Sequence, residues 1–173
     1  LTKIIHSFEE DENQAAVFQA APQIAQGSLR MSAEQVHGGN TAGQLIYDYF
    51  DSRYQGEVSL VFPENGLELP AGTSRLAVWL YNTEENGNRL LGEVVDSAGG
   101  KHQVEFTADL RWTGWKKIEA SLEKIKLPGY LSRLYVQNTD PAAGWGKIYL
   151  DDLSAKVSEY RPKPKTGEYR SQG

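Results

Sequence analysis

The chain has 173 residues, a formal net charge of −5 and no cysteine. That length suits one domain with a real core, and the acidic balance argues against a nucleic-acid or anionic-membrane binder, which would want a basic face. Without thiols there can be no disulfides, thiolate zinc centres or cysteine nucleophile, and no apolar run reaches the ~20 residues of a membrane helix. The opening "LTKIIHSF" lacks a signal-peptide pattern, as in an excised domain. The acidic run Glu9–Glu12 follows. "SAEQV" (32–36) has a brief helical flavour, and then strand signals take over. "GQLIYDYF" (43–50), "GEVSLVF" (56–62), "SRLAVWLYN" (74–82) and "RLLGEVVD" (89–96) are β-branched, aromatic and aliphatic runs. So are "KHQVEFTA" (101–108), "GWKKIEASL" (114–122), "LSRLYVQN" (131–138) and "GKIYLDDL" (146–153). Between them lie stretches dense in Gly, Pro, Asn and Asp, such as "PENGLELPAGT" and "NTDPAAGWG". This spacing is that of a two-sheet sandwich. "SLEKIKL" (121–127) has a second short helical flavour. The polar, Pro-punctuated segment 158–173 reads as a linker or disordered tail, which leaves 1–157 as the domain.

Alternation assigns faces. Leu76, Val78 and Leu80 share one side of their strand, while Ala77, Trp79 and Tyr81 share the other. Leu134 and Val136 likewise oppose Arg133, Tyr135 and Gln137. With the aliphatic sets inside, the outward residues form a candidate sugar platform: rings stack on pyranose C–H faces, and amides and guanidinium groups bond the hydroxyls. The alternative is that a loop covers Trp79 and Tyr81 and they serve packing alone. Trp112 and Trp115 read as structural. Trp145, between two glycines after Asp140-Pro141, reads as a ligand contact. Asp151 and Asp152 stand side by side in an otherwise apolar strand, where a carboxylate needs either water or a cationic partner.

Catalytic motifs are absent. His6, His37 and His102 are scattered, and there is no H-E-x-x-H or G-x-S-x-G. Glu93, Glu105 and Glu119 fall in predicted strands, and the sequence leaves open which of them could face each other as a glycosidase pair.

The ordered set "HSFEED", "VHGGNTAGQLIYDYF", "LAVWLYN", "RWTGWKKIEASL", "LSRLYVQN" and "GKIYLDDL" resembles the jelly-roll domains of the galactose-binding-like class over residues 4–157. More narrowly, it resembles carbohydrate-binding modules and the accessory β-sandwich of secreted bacterial phosphodiester glycosidases. The resemblance implies an all-β jelly roll of two antiparallel sheets. It also implies a structural calcium ion held by Glu9 (or Glu10) and Asp151, with Asp152 adjacent and carbonyls from the turn "HGGN" at 37–40 completing the shell. The other reading places Asp151 and Asp152 at a strand end facing water.

The expected function is non-catalytic glycan binding through Trp79, Tyr81, Tyr135, Gln137 and Trp145. The expected setting is a secreted or cell-surface bacterial protein with a neighbouring catalytic domain. A structural spacer sandwich and a small glycan lyase or hydrolase are the alternatives.

Overall fold

A computed structural model describes the chain except residues 23, 51–53, 140–143 and 159–173. The expected linker therefore lies outside the described residues beyond Ser158, as does Asp140-Pro141 ahead of Trp145. Twelve strands form two antiparallel sheets, and no helix occurs among the described residues. In chain order they are β1 (Thr2–His6), β2 (Val17–Ala20), β3 (Ala25–Ser32), β4 (Ala42–Tyr49), β5 (Glu57–Val61), β6 (Leu67–Leu69), β7 (Thr73–Asn82), β8 (Arg89–Val95), β9 (Lys101–Thr107), β10 (Gly114–Ser121), β11 (Gly129–Gln137) and β12 (Trp145–Val157). The first sheet runs β10-β7-β12-β4-β3, with β1 also on β12. The second runs β2-β5-β11-β8-β9, with β6 also on β11. This is the expected all-β, two-sheet sandwich with jelly-roll-like topology.

All eight anticipated strands form. The alternation holds at β7 and β11, where Leu76, Val78, Leu80, Leu134 and Val136 are fully buried in the shared core. Strands β1, β2, β3 and β6 gave weaker signals because neighbours impose their conformation. β3, "AQGSLRMS", pairs with β4 along its whole length and gives the core only Ala25, Leu29 and Met31. The two brief helical signals become bends and turns, each too short to sustain an isolated helix.

The segment after β1 is fixed by His6. Its Nδ1 accepts the Phe8 N–H at 3.2 Å, and Nε2 donates to the Gln14 carbonyl at 2.9 Å. The ring is buried against Phe8 and Phe62. These partners require the neutral Nε2–H tautomer, and burial pushes the His6 pKa below its usual value. A depressed folded value means that this stabilisation is complete above the unfolded value of 6.5 and is lost as the pH falls through the folded one.

Where β12 passes β4, Gly146 lies against the buried Tyr47 ring, and a Cβ there would overlap the phenol. Gly146→Ala should therefore cost about 1–3 kcal/mol in denaturant unfolding; an unchanged midpoint would contradict this packing. The stability difference between the native chain and His6→Gln, followed from about pH 7.5 down to about pH 5, should shrink as the pH falls.

Candidate functional site

The acidic pair in β12 sits on a bulge. The register with β7 shifts between Asp151 and Ser154, and Asp152 takes φ 46°. The strand does not end there; it continues to Val157. Asp151 is fully buried. Its Oδ2 accepts the His37 and Gly38 N–H groups, both at 2.9 Å, and Oδ1 accepts the Asp152 N–H at 2.9 Å. From the other side, Glu9 accepts the Asn40 N–H at 3.0 and 3.2 Å. Gly39, at φ 69°, lies so close to the Glu9 carboxylate that a side chain would overlap it. Asp152 Oδ2 meets His37 Nδ1 at 2.7 Å. Residues 9, 151 and 152 thus do converge on one turn, 37–40.

The donors at that turn are amides, whereas the calcium expectation called for carbonyls. Among the described residues, no three His, Asp or Glu side chains gather into a metal-holding group. The carboxylates are the right ligand type for calcium; the amides aimed at Asp151 and Glu9 present the same polarity as a cation, while Asp152 meets the His37 ring. Burial pushes the Asp151 carboxyl above the usual carboxylate range; the two turn amides offset this, and the Asp152 charge adds to it.

The five residues expected to bind sugar do not share a surface. Trp79 and Tyr81 face outward from the first sheet, where the 33–41 connection crosses them. His37 stacks on Trp79, with ring centroids 4.0 Å apart and 17° between planes. Tyr81 is half-buried between Trp115 and Tyr149. Trp115 therefore packs on this outward face and not in the core, while Trp112 covers the core edge. Trp145 is on the same sheet, at its start in β12, and remains 45% exposed.

Tyr135 and Gln137 belong to the opposite, second sheet. There a cleft of about 740 Å³ crosses β2, β5, β11 and β8. Its central group is Arg133, whose guanidinium lies 3.9 Å over the Tyr135 ring. It donates to Glu57 at 3.0 Å and Ser59 at 2.8 Å, and stands 3.6 Å from Glu93. One row along, Arg89 donates to Gln137 at 3.1 Å and to Glu105 at 3.0 Å. Tyr135 is left only 4% exposed. The cleft thus presents alternating guanidinium, carboxylate and amide groups held in fixed positions. Arg133 was placed on the outward face with Tyr135 and Gln137 from sequence, whereas Glu57 and Arg89 were not singled out. They lie in β5 and β8, on either side of β11, each opposite Gln137 in register, a pairing that no single strand's pattern reveals. Tyr54, 61% exposed, precedes the cleft-lining Gln55 and Gly56.

Glu93 and Glu105 are engaged with Arg133 and Arg89 on the second sheet, whereas Glu119 pairs with Arg75 on the first. Glu119 thus faces away from the other two, across the sandwich.

No protein-family model and no curated protein matches the chain. Solved structures do. The family 11 carbohydrate-binding module of the cellulosomal cellulase Lic26A-Cel5E of Clostridium thermocellum aligns at TM-score 0.62 and 14% identity, covering 94% of this chain and 98% of that one. The family 30 module of the cellulosomal cellulase Cel9D-Cel44B of the same organism aligns at 0.61 and 9%, covering 92% and 99%. The CBM22-1 xylan-binding domain of Paenibacillus barcinonensis Xyn10C aligns at 0.52 and 16%, covering 93% and 95%. At these identities the likeness is one of fold: a β-sandwich shared with several families of carbohydrate-binding module.

Asp151 accepts three part-buried amides, those of His37, Gly38 and Asp152, so Asp151→Ala removes the acceptor that ties the 37–40 turn to β12. Unfolding stability should fall by about 3 kcal/mol or more; a loss under about 1 kcal/mol would show that the turn holds without it.

Proposed function

We propose that this domain is a non-catalytic carbohydrate-binding module, and that it takes a glycan chain along the cleft of the second sheet. The observation that carries this reading is the cleft itself, an open furrow whose hydrogen-bonding groups are pre-positioned by one another. Hydroxyl-rich chains are recognised by such paired donors and acceptors, and little entropy is lost when the groups are already held. Arg133, Gln137 and Glu57 are the proposed contacts, with Tyr135 supporting the Arg133 guanidinium from beneath. The fold likeness to modules named for cellulases and a xylanase supports the same reading. It also supports a secreted or cell-surface bacterial setting beside a catalytic domain. No helix among the described residues is long and apolar enough to cross a membrane.

Affinity for the preferred oligosaccharide should lie between roughly millimolar and micromolar Kd. Arg133→Ala and Gln137→Ala should each weaken it about tenfold, a charged hydrogen bond contributing about 1.5–3 kcal/mol. Trp79→Ala should lower stability and leave affinity nearly unchanged, since His37 occupies the ring face. Isothermal titration after a glycan-array screen measures the affinities, and denaturant unfolding measures the stability. Product release from any glycan, abolished by one Glu→Gln change, would replace the reading with an enzyme.

A second surface is favoured by one observation, the exposure of Trp145 on the opposite sheet. Loss of affinity on Trp145→Ala, with Arg133→Ala silent, would move the site to that sheet, which also carries Tyr81.

Calcium at Glu9, Asp151 and Asp152 is carried as a proposal, supported by charge. Three carboxylates meet one turn, and among the described residues His37 is the one basic side chain hydrogen-bonded to any of them. Calcium added to chelator-stripped protein should raise Tm by about 5 °C. A flat response would assign the turn to its amides alone.

A further inference from the structure

The outward face of the first sheet has a second hollow, of about 300 Å³, on the half away from Trp145. Its floor is Ala77 on β7 and Ser154 on β12, which stand opposite each other in register. Both are more than nine-tenths buried. Ser154 lines this hollow, and its hydroxyl has no hydrogen-bond partner among the described residues. Three cations rim the floor from three adjacent strands: Arg75 on β7, Lys117 on β10 and Lys156 on β12. One carboxylate joins them. Glu119 accepts from Arg75 at 2.8 Å and lies 4.0 Å from Lys117. Lys156 makes no ion pair among the described residues, so Glu119 leaves the hollow with a cationic excess on a chain whose net charge is −5.

We propose that this hollow binds an oxyanion, the carboxylate or sulfate group of an anionic glycan. The small floor lets a flat or tetrahedral head group descend to the sheet. Ser154 can then donate from below while Lys156, Lys117 and the remaining N–H groups of Arg75 donate from the rim. Glu119 is the resident competitor, sitting where the ligand's charge would go and holding Arg75 and Lys117 in place for it. The oxyanion assignment stands independently of the cleft; its glycan part rests on the function proposed above. A charged chain bound here would lie on the sheet opposite the cleft, so that one domain could hold two chains.

The test is a titration of the isotope-labelled full chain, at constant ionic strength set with chloride. Sodium sulfate, a trigalacturonate and a neutral hexose trimer are the probes, and the backbone amide shifts of Ala77, Ser154 and Lys156 are the readout. Sulfate and trigalacturonate should each give saturating shifts, and the neutral trimer none at these positions. Lys156→Glu should weaken binding about tenfold. Glu119→Gln should strengthen it several-fold by removing the competing charge, a gain that a merely damaged fold would not produce. Arg133→Ala should leave the three shifts unchanged, which separates this site from the cleft. Saturation by sulfate but not by trigalacturonate would overturn the glycan assignment. Failure of both to saturate, or weaker binding with Glu119→Gln, would overturn the site.

Discussion

A single four-residue turn, 37–40, ties this sandwich together. Glu9 reaches it from the segment after β1, and Asp151 and Asp152 reach it from the bulge in β12, so positions remote in sequence close on the same few amides. A carboxylate buried in protein is costly unless its charge is met by well-aimed donors. Amides fixed in a turn are such donors, because their orientation is set by the backbone and no side-chain entropy is spent in aiming them. The glycine at 39 is required for two reasons: its positive φ, and the lack of space beside Glu9. The same turn carries His37 across the sheet and onto Trp79, so the element that closes the fold also covers part of its surface.

That covering makes the two faces of the sandwich unlike. On the first sheet, aromatic side chains pack on one another beneath a crossing loop and are consumed as structure. On the second sheet no described segment crosses, and a long cleft lies open between β2 and β8. Its chemistry is that of an ion-pair lattice. Arg133 is held by stacking and by carboxylates on both flanks, and Arg89 repeats the pattern one row away. Partly exposed pairs of this sort contribute modestly to stability; their value lies in presenting hydrogen-bonding groups at fixed spacing to whatever enters.

The two hollows differ in charge in a way that bears on ligands. The cleft balances guanidinium against carboxylate, the pattern on which the proposed neutral-glycan site rests. The hollow over Ala77 and Ser154 has cations in excess, the pattern on which the proposed oxyanion site rests. Bulk composition conceals this second feature, because an overall acidic chain can still gather three cations from neighbouring strands at one point.

Eight of the twelve strands, and the core faces of β7 and β11, were legible in the residue pattern, and with them the sandwich. Period-two alternation is a local property that survives whatever the strands pair with. The pattern also flagged Asp151 and Asp152, because paired acids in an apolar strand demand a partner, while Glu9 was named through the family resemblance. Only the tertiary structure decided who that partner was, and the amides of 37–40 were invisible in a pattern of side chains. Tertiary structure also decided which outward residues meet. Trp79 and Tyr135 look equivalent in sequence, each outward in an alternating strand, yet β7 and β11 fall in different sheets and their outward faces point in opposite directions. Strand order and loop crossing are set by pairings between segments remote in sequence, so the composition of any one strand cannot specify which of its faces stays open to a ligand.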